Sequence, residues 1–406
     1  MKIKVYHSLF FLFIIALVFQ QNIARIIPMF NYLDETCALV LFIFGFLNQV
    51  CRKRYMLKSD IISLTCLTCL FILGILSSLI YGYQDVYYTL LGGFLQVKFF
   101  LLMFGIKWLA EDLTRYNIIQ IVKDACYASL LFIIIAEMFN RLVYGVSFMY
   151  MLDTCSKVIF LTAGIIIASY RLRNELLLVA GGCILLLLTE RAKAYAGILL
   201  IIILYVWVIK LNKKVKLYEI FLLGVGFIVL AWNKIYFYYV WGAAHNYARA
   251  VLTMTGIKVA NEYFPLGTGF GTYASYVAAD QYSPVYYMYG ISEHSEMGVD
   301  RQMFLMDTYW PSVMCEMGWL GVVAIIVMLF VIFMKIQSLY KNNKCIYCAC
   351  LLSFLYMIIT TFEETGFMQP LLMCHAIIIG ICIGYNDKYE VKENVRGKRK
   401  IFGGII

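Results

Sequence analysis

The chain has 406 residues, 63% of them hydrophobic and 14% charged, with a net charge of +10 and a mean hydropathy of +0.81. A bilayer core takes roughly 20 apolar residues per helical span, and its lack of water leaves helices or closed barrels as the spanning structures. Continuous apolar runs without period-two alternation exclude the barrel, so the composition describes an all-α polytopic membrane protein and excludes a soluble domain.

Hydropathy predicts about 12 spans, near 5–21, 36–51, 61–81, 92–109, 118–138, 154–170, 176–189, 196–211, 217–234, 311–334, 345–361 and 369–385. The 176–189 segment is short for a full crossing, so it tilts or continues into its shortened neighbour at 196–211. No small-residue cleavage site follows Met1–Gln21, which reads as the first span rather than a secretory signal.

Lys2 and Lys4, Arg52-Lys53-Arg54, Arg171 and Arg173, the Lys210/Lys213/Lys214/Lys216 cluster and Lys335/Lys341/Lys344 all fall on one side of this pattern, together with the basic tail 386–406. Excess Lys and Arg mark the cytoplasmic side, which places both termini inside and the large polar loop 235–310 outside, with short surface helices in it. The chain then forms one membrane domain, 1–406, with that loop inserted between spans. Basic cytoplasmic loops account for the net charge through topology and anionic lipid, and nucleic acid is not expected as a partner.

The 13 cysteines lie within or beside spans, and the large loop has none. Cys66/Cys69 and Cys345/Cys348/Cys350 have suggestive spacing, but without nearby His they read as apolar packing residues, with no metal site. Lys98 lies inside a span, where it must find a partner, face water, bind a ligand or snorkel; a central charge costs about 2.5–3.5 kcal/mol on insertion. Lys123/Asp124 and Asp153/Lys157 have the spacing of local structural pairs.

The exterior carries more chemistry. The short loop 189–195, TERAKAY, keeps two cations, Arg191 and Lys193, where positive charge is normally depleted. A guanidinium forks onto phosphate oxygens and a lysine adds a mobile point charge; lipid headgroup contact or helix capping would also explain Arg191. In the large loop, the stretch around Arg249 and Lys258 has the pattern of an amphipathic helix along the membrane surface. Pro265 and the alternating Gly267, Gly269 and Gly271 end it, as a wall against a ligand or as a tight return. Tyr273, Tyr276, Tyr282, Tyr286, Tyr287 and Tyr289 suit either sugar faces or the membrane interface. Glu293, His294, Glu296, Asp300, Arg301 and Asp307 follow, and a carboxylate there is a candidate to accept a proton from a sugar hydroxyl.

In this order the features resemble the bacterial O-antigen polymerase and ligase superfamily, which includes capsular and exopolysaccharide polymerases. The resembling parts are Thr189-Glu190-Arg191, Arg249, Pro265-Leu266-Gly267-Thr268-Gly269-Phe270-Gly271, Asp307-Thr308-Tyr309 and Glu316-Met317-Gly318-Trp319-Leu320-Gly321. The likeness covers most of the chain as topology and residues 189–321 as motif.

The resemblance implies a metal-independent, inverting glycosyltransferase of the bacterial cytoplasmic membrane, without a cofactor. Its donor would be a polyprenyl-diphosphate-linked oligosaccharide, and a flippase and a chain-length regulator of the same pathway would be its partners. Carried over, Arg191 and Arg249 grip the diphosphate, and Asp307 is the base or orients the acceptor, with His294 as runner-up. Glu316 positions the loop, and Lys193, Lys98, Arg301 and the three glycines belong to the substrate site. Many ligase-like members carry His-Asn where this chain has Asp307-Thr308. A ligase with another acceptor and a flippase or other transporter are the alternatives; most acidic residues sit at loops or span ends, which disfavours transport.

Overall fold

A computed structural model describes residues 2–52, 56–113, 118–145, 154–167 and 175–402. Every regular element among them is helical. The first half holds α1 (Lys2–Val18), α2 (Gln20–Ala24), α3 (Leu33–Cys51), α4 (Lys58–Tyr81), α5 (Val86–Leu113), α6 (Ile118–Tyr144), α7 (Thr154–Ile167), α8 (Leu176–Leu187) and α9 (Ala192–Leu204), which runs on as π-helix through Lys210. Then come α10 (Leu217–Leu230), α11 (Trp232–Ile235), a π-helical turn Tyr236–Trp241, α12 (Gly242–Ala244), α13 (Ala248–Glu262), α14 (Tyr276–Asp280) and α15 (Pro284–Met288). Finally α16 (Trp310–Leu339), α17 (Lys344–Thr360) and α18 (Pro370–Phe402) close the chain.

Each of the twelve expected apolar segments is mainly helical over its described residues, but seven described helices are long and apolar enough to cross a membrane on length and composition. Four others are short: His7–Val18, Cys155–Ile167, Leu176–Leu187 and Lys344–Thr360. At 1.5 Å per residue the 12 residues of α8 reach roughly 18 Å, well short of a ~30 Å hydrocarbon core. The remaining one is broken: Leu217–Val229 and Trp232–Ala244 meet at 63° and together make an eighth candidate. Helix therefore persists to Ala244, past the residue 235 expected as the start of the polar loop, because Tyr236–Trp241 continue the apolar run.

α5 and α18 are the most enclosed spans, and small residues set how closely helices approach them. An added Cβ at Gly380 on α18 would come within 2.6 Å of the Met103 carbonyl on α5, and one at Gly45 on α3 within 2.6 Å of the Gly105 carbonyl.

These close contacts trap charges, which pair. Lys98 is 1% exposed and donates to Asp34 at 2.5 Å and to Glu35 at 2.8 Å, both on α3. Gln20 also donates to Asp34, at 2.6 Å. Lys98 thus neither snorkels nor faces a ligand; its two acids lie 64 and 63 residues upstream. Lys107, nine residues further along α5, pairs with Asp60 and with Asp387 at 2.8 Å, and Lys335 reaches Asp387 at 3.1 Å. Lys123 pairs with Glu175 at 2.5 Å instead of Asp124, which accepts from Gln120 at 2.8 Å. Lys157 donates to Asn22 at 2.7 Å; Asp153, like Lys53, Arg54, Arg171 and Arg173, lies outside the described residues.

Candidate functional site

The two glycine motifs form a single joint. α16 breaks at Gly318 (φ 64°, ψ −170°), which takes the Cys315 and Glu316 carbonyls out of the helical ladder. They accept from Thr268 N at 2.7 Å and Gly269 N at 3.0 Å. Gly269 has φ 97° and its added Cβ would lie 2.7 Å from the Ser78 backbone, so only glycine fits. The Phe270 ring fills a slot where Gly74 of α4 and Gly93 of α5 leave room. Phe270 N donates to Ser78 Oγ at 3.0 Å, Ser77 donates to the Gly267 carbonyl, and Gln84 to the Gly271 carbonyl at 2.8 Å. Gly267, Gly269 and Gly271 are all buried against α4, α5 and α16. The run is a packed return, and its backbone approaches protein instead of walling an open cleft.

Glu316 fixes this return. Its buried carboxylate accepts from Ser275 Oγ at 2.8 Å, Gln96 Nε2 at 2.9 Å and Tyr273 N at 3.3 Å. It ties Tyr273 and Ser275 of the loop to α5 and α16 from inside the protein.

Beyond the return the tyrosines make a small core of their own. Tyr273, Tyr282 and Tyr286 are buried with Leu252, Val259, Val285 and Leu305. Each phenol is satisfied: Tyr273 donates to the Leu252 carbonyl and Tyr282 to the Met297 carbonyl, both at 2.9 Å, and Tyr286 accepts from Ala274 N at 2.9 Å. These three therefore line neither a sugar nor a membrane interface. Tyr287 and Tyr276 are exposed. α13 lays Gly256 against Pro311 of α16, and Trp319 donates to Asn261 at 2.9 Å; Met254 and Ile257 face outward.

At the opposite edge of this subdomain, four chain segments bring charge together. Arg249, in the first turn of α13, donates through Nε to Asp307 at 3.2 Å and through an Nη to the Glu363 carbonyl at 3.2 Å. Its guanidinium lies 5.0 Å from the Tyr238 ring centre. Lys193, in the first turn of α9, pairs with Glu364 and also acts on the Asp307 carboxyl. Tyr239 donates to the Phe362 carbonyl at 3.3 Å. The Arg249 and Asp307 side chains are 23% and 33% exposed, so the pair is half open. Burial pushes the Asp307 carboxyl above its ordinary range, while Arg249 and Lys193 pull it back. An acid raised by desolvation beside a forked cation is the electrostatic pattern of a proton acceptor.

Of the residues expected at the site, Arg249, Asp307 and Lys193 share this cluster. Arg191 is exposed at the N-cap of α9, two residues from Lys193. His294 and Arg301 lie on the turns between α15 and α16, where the His294 carbonyl accepts from Met297 N and Gly298 N. Lys98 and Glu316 are sealed inside the helix bundle. The 361–369 turn, with Glu363 and Glu364, was not anticipated, although it too falls on the exterior side of the expected topology. Among the described residues no group of His, Cys, Asp and Glu has the arrangement of a metal site. Comparison with protein-family models found no match for this chain, and comparison with curated proteins found none.

Proposed function

We propose that the protein is a polysaccharide polymerase, an inverting glycosyltransferase joining polyprenyl-diphosphate-linked repeat units at the outer leaflet of the bacterial cytoplasmic membrane, with both termini cytoplasmic. The observation that carries this reading is the meeting of Lys193 and Arg249, from segments far apart in sequence, around the half-open Asp307.

In this reading Arg249, with Arg191, takes the donor diphosphate, while Lys193, buried to 1% exposure and paired with Glu364, adds its charge from behind the contact surface. The acceptor sugar's hydroxyl oxygen attacks the donor's anomeric carbon from the face opposite the diphosphate, whose C–O bond breaks with the electron pair leaving on the diphosphate. Asp307 accepts the hydroxyl proton. Fixed cations in a poorly solvated site stabilise the charge that develops on the departing diphosphate, so binding and electrostatics supply most of the catalysis. A flippase and a chain-length regulator would work beside it, and an O-antigen-type ligase would use the same donor chemistry with another acceptor.

Lipid-linked glycans from cells lacking the gene test the proposal. Single repeat units accumulating on the outer face are the expected result. Units trapped on the inner face would make the protein a flippase and overturn it.

A further inference from the structure

Five buried polar atoms without a hydrogen-bond partner fall on two short segments: Thr308 Oγ1 and Tyr309 Oη, and Glu364 Oε2, Thr365 Oγ1 and Gln369 Oε1. The segments touch. The Tyr309 and Phe367 ring centres are 5.0 Å apart, Trp310 Nε1 donates to Thr361 Oγ1 at 3.0 Å, and Arg249 bridges Asp307 to the Glu363 carbonyl. Buried polar groups are nearly always paired, and each orphan leaves its desolvation uncompensated. Elsewhere among the described residues such atoms are scattered, Gln20 Oε1 and Glu35 Oε2 beside Lys98 among them, whereas here five fall on two touching segments. A concentration of orphans in two touching segments beside Asp307 therefore points to a ligand.

The chemistry of the set selects the ligand. Glu364 Oε2 and Gln369 Oε1 only accept, and the three hydroxyls both donate and accept. A phosphate brings acceptors alone and would need a cation such as Arg249 to hold it, whereas a sugar ring brings several O–H donors that also accept and can answer the orphaned acceptors directly. Aromatic surface stands next to the set: Phe362 is 58% exposed, and its ring lies 6.2 Å from that of Trp310. Rings of this kind cover the apolar C–H face of a sugar.

We propose that Asp307–Tyr309 and the 361–369 turn form a binding subsite for a neutral sugar, the acceptor end of the growing glycan, distinct from the cations that take the diphosphate. Its assignment as the acceptor rests on the polymerase reading; its sugar chemistry rests on the orphaned atoms.

The test uses the full-length protein in lipid nanodiscs and two probes: the phosphate-free oligosaccharide released from the host's repeat unit, and polyprenyl diphosphate carrying no sugar. Thr365→Val and Gln369→Leu each remove one orphan at nearly constant volume. Each is expected to weaken oligosaccharide binding roughly three- to tenfold with polyprenyl diphosphate affinity and thermal unfolding unchanged, and Thr365→Ser is expected to retain wild-type affinity. Unchanged oligosaccharide affinity in both variants would show that water alone satisfies these atoms and would overturn the subsite. So would a wild-type protein that takes polyprenyl diphosphate but not the oligosaccharide. Should the oligosaccharide bind and weaken as expected while polyprenyl diphosphate fails to bind, the sugar subsite stands and the donor reading falls.

Discussion

Lys98 and Arg249 are both cations held by an aspartate, and the two settings differ in every respect that matters for function. Lys98 is sealed, has two carboxylates at 2.5 and 2.8 Å, and shares one of them with Gln20. Arg249 has one carboxylate at 3.2 Å, a backbone carbonyl and an aromatic ring, and stays partly open to solvent. A desolvated ion pair is costly to separate and acts as a fastener. A half-exposed pair contributes little to stability and exchanges its partner cheaply, which a site that binds and releases an anion requires.

The comparison breaks first at Lys98. Lys98→Met leaves the buried Asp34 and the half-buried Glu35 without their cation, a loss of about 3–5 kcal/mol, read as a lower unfolding temperature and less folded protein in membranes. Adding Asp34→Asn and Glu35→Gln should return most of that loss. Arg249→Lys is the counterpart. It should cost less than about 1 kcal/mol of stability while glycan transfer falls roughly a hundredfold or more, because the fork is lost. Wild-type polymer length in that variant would erase the distinction between the two sites. Gly269→Ala has a smaller and mixed effect: a positive φ and a Cβ pressed on Ser78 cost about 1–3 kcal/mol, and transfer declines with the folded fraction.

The smallest effect is the titration of Asp307. Its folded-state pKa stands above the 3.8 of a free aspartate, so within that window the folded chain binds more protons than the unfolded one. Stability should fall as pH rises through the window, and Asp307→Asn should remove that slope. Transfer should move the opposite way, rising with pH across the same window as the base ionises and then levelling off. A flat rate profile would take the base role from Asp307.

Much of this contrast is invisible in the sequence. The helices were legible because uninterrupted apolar runs permit little else in a bilayer, and Arg249, Asp307 and Lys193 stood out in the sequence as charges in the loops expected on the exterior side. Lys98 was misread because its partners lie on a helix 60-odd residues upstream, and burial with two acids cannot be inferred from one lysine in an apolar run. The glycine motifs were legible as a pair, but their reason is a hydrogen-bonded joint between Thr268-Gly269 and the break at Gly318, a tertiary fact. The tyrosines misled for a similar cause: on an irregular segment no period separates a ring in a local core from one facing solvent. Glu363 and Glu364 were overlooked because the turn between α17 and α18 is short, and its importance comes from contacts with α9 and α13.

The central claim is that Arg249 exchanges Asp307 for a lipid diphosphate. Titrating polyprenyl diphosphate into the purified protein and into Arg249→Lys tests it most directly. Binding to wild type that weakens at least tenfold in the variant, with unfolding temperature unchanged, is the predicted result; equal affinity in the two proteins would contradict it.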